Sequence, residues 1–150
     1  MDANSTDDRI LEMAANILEE RAAKYGECLS SPKAAAEIAC LRMGTLEHEV
    51  FSVFWLDAQN RMIRFEQLFR GTLTQTSVYP REVVKEAIRC NAAAAILVHN
   101  HPSGSVEPSR ADESLTRTLK DALALVDVRV LDHLIVSGNR SRSMAESGYV

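Results

Sequence analysis

Three side chains able to hold a metal stand close together in the second half of the chain. His99 and His101 are separated by one residue, and Asp112 follows eleven positions after the second histidine. The segment before them, Ala92 to Val98, is an unbroken apolar run of the length of a buried strand. In extended backbone, residues i and i+2 point to the same face, so both imidazoles converge at the rim where the strand ends. Pro102, Gly104 and Pro108 then force a turn. Ser109 reads as a helix N-cap, which puts Asp112 in the first helical turn, where the loop can bring its carboxylate back to the histidines. Two imidazole nitrogens and one carboxylate oxygen are the ligand set of a catalytic zinc site, which keeps one position open for water. The expected load is one Zn2+ per chain. The same residues also have a structural reading: Ser109-Arg110-Ala111-Asp112 fits a capping box, with the aspartate bonding back to the N-cap amide.

The flanking elements must place this loop. Ile10, Leu11, Ala14, Ile17 and Leu18 recur at helical spacing between Asp8 and about Tyr25, after a polar tail over residues 1–8, and Gly26 is a natural stop. Ser30-Ser31-Pro32 opens a second helix that runs to Met43 and ends before Gly44. Glu49 to Leu56 is rich in strand formers, residues 57–60 signal a turn, and Arg61 to Phe65 returns antiparallel. Residues 71–77 form a polar loop. Pro80 starts a third helix to about Cys90, with Val83, Val84, Ala87 and Ile88 inward. The helix from Ser109 to about Leu125 turns Leu115, Leu119, Ala122 and Leu123 inward. Val128 to Val136 and Ser141 to Ala145 are the last strands. Helices alternating with strands, plus one hairpin, predict an α/β fold: a mixed β-sheet flanked by helices.

Composition bounds the function classes. One hundred and fifty residues, 46% hydrophobic and 25% charged, fit one soluble globular domain. A net charge of −4 gives no basic footprint for holding duplex DNA through its phosphates. The acidic, polar start is not a signal peptide, and no apolar run is long enough to span a bilayer, so a cytoplasmic protein without membrane contact is expected. Cys28, Cys40 and Cys90 are odd in number and widely spaced, which suits free packing thiols in a reducing compartment. Zinc deaminases pair H-x-E with P-C-x-x-C, and this chain has no such cysteine pair. HExxH is also absent.

His-x-His-Pro followed by Pro-Ser-x-x-Asp resembles the JAMM metalloprotease motif of the JAB/MPN domain. More narrowly, Leu56 to Val136 resembles the RadC family, through LDAQNR (56–61), LFRGTLTQTSVYPREVVKEAIRCNAAAAILVHNHPSG (68–104), EPSRADESLTRTLK (107–120) and VRVLDHLIV (128–136). The resemblance implies a JAB/MPN fold related to the cytidine deaminases, with residues 1–28 as an N-terminal tail and helix and 29–150 as the domain proper. It implies a zinc-dependent hydrolase acting on a peptide or isopeptide bond of an unidentified peptide or protein substrate. His99, His101 and Asp112 would be the metal ligands. The catalytic glutamate of JAMM enzymes lies on the first strand of the domain; Glu49 is the best match and Glu47 the fallback. Ser109 matches the serine that stabilises the oxyanion. The Asp132-His133 pair belongs to the resemblance too, either supporting the ligands from behind or as a buried structural histidine, while His48 reads as a surface residue. The alternative function is an accessory or non-catalytic protein of DNA repair or recombination, using the metal domain as a binding module for a repair partner. Longer RadC-like chains carry an N-terminal helix-hairpin-helix region. Its paired glycines are not found before Glu49, so strong direct DNA binding is not expected.

Overall fold

The computed structural model describes residues 3–25, 32–73 and 76–150. Their elements run in the order α1 (Ala3–Tyr25), α2 (Pro32–Met43), β1 (Val50–Leu56), β2 (Met62–Arg70), α3 (Pro80–Arg89), β3 (Ala94–Asn100), α4 (Arg110–Ala124), β4 (Arg129–Ser137) and β5 (Arg140–Ser143). The strands form one sheet in the order β2-β1-β3-β4-β5. β1 is antiparallel to both β2 and β3, β3 and β4 are parallel, and β5 is antiparallel to β4. A parallel pair requires a crossover, and α4 supplies it. The fold is the expected α/β arrangement, a mixed sheet with helices on both faces.

Strand alternation decides which side chains reach the site. β1 and β3 are buried along their whole length, so both faces of these central strands are covered. Phe51, Val53, Trp55, Ala95 and Leu97 pack with Val83 and Ala87 of α3 and Leu119 and Leu123 of α4. Val50, Phe54, Ile96 and Val98 pack on the opposite face with Ala35, Ile38, Ala39 and Met43 of α2. The same alternation sends His99 to the α4 face and Asn100 to the α2 side. α2 meets the β4–β5 turn so closely that a Cβ on Gly44 would lie 2.0 Å from the carbonyl oxygen of Gly138. Gly138 N–H donates to the Gly44 carbonyl at 2.8 Å, and only glycine permits that approach. No described helix is long and apolar enough to cross a membrane.

Several expectations need correction. α1 begins at Ala3, not Asp8, because its polar first turns carry no apolar stripe by which to be read. Of its apolar stripe Leu11, Ala14 and Leu18 are half-buried beside the fully buried Ala15, while Ile10 and Ile17 are exposed. β2 continues five residues beyond Phe65. It is an edge strand, where Gln67 and Arg70 are exposed at little cost and imitate a loop. β3 starts at Ala94 and runs through His99 and Asn100, so His99 stands inside the sheet and not at its rim. Ile88 points outward, while α3 buries Val83 and Ala87. The last strand is Arg140–Ser143 and stops short of Ala145. The Gly26 stop, the Ser30-Ser31 cap, Cys28 and the boundary at 28/29 lie outside the described residues.

Candidate metal centre

His99 is fixed from both sides of the sheet, opposite Phe51 of β1 and Ile135 of β4. It is 5% exposed. His101 stands just past the end of β3, and its N–H still donates to the Val136 carbonyl at 2.9 Å. The Ser137 hydroxyl donates to the His101 carbonyl at 2.9 Å. The loop beyond turns at Gly104, whose φ of 95° is the left-handed conformation expected of a glycine there. Strand β5 ties this loop down: Arg140 donates to the Gly104 carbonyl, and Arg142 pairs with Glu107.

The loop delivers α4 with its first turn against the histidines. Ser109 Oγ accepts the Asp112 N–H at 3.1 Å, and Asp112 Oδ2 accepts the Ser109 N–H at 2.8 Å. This capping box does not compete with metal binding, because a carboxylate has about four lone-pair sites. Asp112 Oδ1 lies 3.2 Å from His99 Nε2, and Oδ2 lies 3.3 Å from His101 Nε2. The two Nε2 atoms are 2.9 Å apart. One ligand atom from each of His99, His101 and Asp112 falls within a 4.8 Å cluster, the one such group among the described residues.

The donor set fits a metal. His101 Nδ1 lies 2.9 Å from the Ser105 carbonyl, which can only accept, so Nδ1 carries the proton. In the neutral ring Nε2 is then a lone pair, aimed at another imidazole nitrogen and a carboxylate. Such a cluster calls for a cation at its centre, either a proton or a metal. The electrostatics show the same demand. The hydrogen bond to Asp112 raises the His101 pKa, against the lowering effect of burial. Burial pushes Asp112 up, but the hydrogen bonds with His101 and His99 outweigh it and hold the carboxyl well below the usual range.

Glu49 precedes β1 by one residue and lines one hollow with His101, Ser109 and Asp112, together with Leu73, Pro102 and Ala111. Its backbone is clamped to the chain leaving β2: Glu49 N–H donates to Thr72 at 2.7 Å, and Gly71 N–H donates to the Glu49 carbonyl at 2.8 Å. Thr76 donates to its carboxylate at 3.3 Å. Glu47 is elsewhere, exposed in a bend and lining a separate hollow with Asp8, Glu12 and Arg70. Ser109 Oγ spends a lone pair on the cap, which leaves its hydrogen for the hollow.

Asn100 was not singled out in the sequence, yet its amide brackets Glu49. Its Oδ1 accepts the Val50 N–H at 2.7 Å, and its Nδ2 donates to the His48 carbonyl at 2.9 Å. His48 is half-buried, not fully at the surface. His133 is fully buried, with Nε2 at 2.8 Å from His99 Nδ1. Burial, and then repulsion between a protonated His133 and the neighbouring His99, lower its pKa well below the ordinary histidine value. Asp132 faces away from the histidines and accepts from Ser143, Ala145 and the His133 N–H, which anchors the turn after β5. Cys40 and Cys90 are free and half-buried, and burial raises both thiol pKa values.

The model of the RadC-like JAB domain matches residues 29–149. A UPF0758 protein of Variovorax paradoxus is 58% identical over 139 residues, which is 93% of this chain and 61% of that protein. One from Polaromonas is 56% identical over 93% of this chain and 62% of its own length. One from Thiobacillus denitrificans is 57% identical over 94% of this chain and 62% of its own length. The chain thus spans about three fifths of the curated relatives it matches. With 121 residues covered by the family model (29 through 149), the chain belongs to the RadC-like JAB domain family.

Proposed function

We propose that this chain is a zinc-dependent hydrolase of the JAMM type, with one Zn2+ held by His99, His101 and Asp112, acting on a peptide or isopeptide bond of a protein or peptide substrate. The observation that carries this reading is the convergence of lone-pair donors from His99, His101 and Asp112 on one point, with a further carboxylate, Glu49, lining the same open hollow as His101 and Asp112. Zinc in such a site supplies Lewis acidity, which makes water a nucleophile near neutral pH. Glu49 takes the proton released as water adds to the carbonyl carbon, and returns it to the departing amine nitrogen. Its clamped backbone keeps the carboxylate facing the hollow. Ser109 donates its hydroxyl hydrogen to the oxygen that gains charge in the tetrahedral intermediate. Pro102 and the arginine-tied loop hold the histidines in register while this happens.

The test couples metal content to turnover. The purified protein should carry about one zinc per chain and cleave members of a fluorogenic peptide and isopeptide panel. Glu49→Gln keeps the size and reach of the side chain but removes the basic oxygen. It should retain zinc and lose roughly 10²–10⁴ of the rate, the usual worth of a general base. Glu47→Gln, in its separate hollow, should leave both unchanged. Equal rates in the wild type and the Glu49 variant would remove the proton-transfer role.

A further inference from the structure

We infer that Thr116 and His133 are positioning residues for the proposed metal ligand His99: together they fix the ring tautomer that turns its Nε2 lone pair into the site. The inference rests on the metal reading above and adds to it two buried residues, Thr116 of α4 and His133 of β4.

The Thr116 hydroxyl on α4 makes two short contacts, 2.7 Å to the Asp112 carbonyl and 2.6 Å to His133 Nδ1. A hydroxyl has one hydrogen, and a carbonyl can only accept. The hydrogen therefore points to the Asp112 carbonyl; Met144 Sδ, at 3.7 Å, is a far weaker acceptor. His133 Nδ1 must then be the N–H that donates to Thr116 Oγ. In a neutral imidazole one nitrogen donates and the other accepts, so His133 Nε2 is a lone pair. His99 Nδ1, 2.8 Å away, must carry the hydrogen that fills it. His99 Nε2 is left bare, 3.2 Å from Asp112 Oδ1 and 2.9 Å from His101 Nε2. The reverse polarity would set the Thr116 oxygen against the Asp112 carbonyl oxygen at 2.7 Å with no hydrogen between them.

Two chains of hydrogen bonds thus end at one point. One starts from the Ser105 carbonyl and fixes His101; the other starts from the Asp112 carbonyl and fixes His99. The second starts on the residue whose side chain supplies the third ligand, so α4 governs both Asp112 and the orientation of His99. Thr116 and His133 are both fully buried, and the edge of Phe51, with ring centroids 6.0 Å apart, packs against the His133 ring. Ligand histidines usually donate to a carboxylate, a backbone carbonyl or water. Here the partner is a neutral imidazole, which can hold its tautomer only while Thr116 accepts from it.

Two measurements test this. Long-range 1H–15N spectra of the wild-type protein, zinc-loaded and chelator-stripped, should show both His99 and His133 with hydrogen on Nδ1. His133 with hydrogen on Nε2 would overturn the relay, and this readout needs no variant that might fail to fold. Zinc competition against a chromogenic chelator should show Thr116→Val weaker by roughly 10- to 100-fold, the usual loss on removing a partner behind a ligand. Thr116→Ser, which restores the hydroxyl, should return to within about threefold of wild type. Equal affinity in the valine variant would also overturn the relay. A wild-type protein that takes up no zinc would instead refute the metal reading, and the spectra would still decide the relay by themselves.

Discussion

Helices α4 and α1 pack on opposite sides of the same domain, and they are held in different ways. α4 begins with a reciprocal capping box, buries Thr116, Leu119 and Leu123 against the sheet, and carries Asp112 into the site. α1 is longer, at 23 residues, yet among its described side chains only Ala15 is fully buried. It exposes Ile10, Met13 and Ile17, and it meets the rest of the molecule mainly through α2, where Arg42 pairs with Glu19 and Asn16. Burial of apolar area and satisfied buried polar groups fix an element, whereas ion pairs that keep contact with water add little. The contrast shows where precision is needed. α4 cannot shift without moving two proposed ligands, whereas among the described residues α1 makes no hydrogen bond to any of them.

The largest effect should come from the ligands. His99→Ala or His101→Ala should abolish stoichiometric zinc binding, as read by metal analysis. Asp112→Asn is the sharper variant because it separates the two roles of α4's first turn. Asparagine can still accept the Ser109 N–H, so helicity by circular dichroism should hold while zinc is lost, since a neutral amide is a poorer ligand. Full zinc in that variant would leave the capping box as the whole explanation of Asp112.

Next in size are core truncations on the two sides. Leu119→Ala empties a fully buried position against the sheet and should cost about 2–5 kcal/mol in denaturant titration. Leu18→Ala, at a half-buried position of α1, should cost about 1 kcal/mol, since less of its area leaves water. Equal losses would mean that α1 is as firmly anchored as α4, and the contrast would fail.

How much of this was legible in the sequence follows the same divide between local and distant contacts. His99, His101, Ser109 and Asp112 lie within fourteen residues, so strand alternation, a turn and a cap were enough to bring them together. The placement of Glu49 needed the family resemblance, because nothing local distinguishes it from Glu47. Asn100 stayed invisible because its partners, His48 and Val50, lie about fifty positions away. Thr116 looked like any polar residue on a helix, and its role depends on His133, 17 positions later and on another element. The end of β2 was missed because an edge strand may carry polar residues, and which side of the α1 stripe is covered was open because that depends on α2, a separate element.

The smallest effect should come from the α1–α2 pairing. Arg42 reaches Glu19 at 2.7 Å and Asn16 at 2.6 Å, with side chains about one fifth exposed in the ion pair. The geometry is good, but a pair that keeps contact with water gains modest Coulomb energy and loses side-chain entropy. Arg42→Ala should therefore lower stability by less than about 1 kcal/mol. The aliphatic part of arginine also covers apolar surface, so Arg42→Met tests the charge alone and should lose less still. Neither change touches the hydrogen bonds that reach His99, His101 or Asp112, so zinc affinity should stay within about twofold of wild type, a margin near 0.4 kcal/mol by the tenfold-per-1.4 rule. A larger loss of zinc from either variant would show that α1 is coupled to the metal loop, and the independence of the two helices would then be wrong.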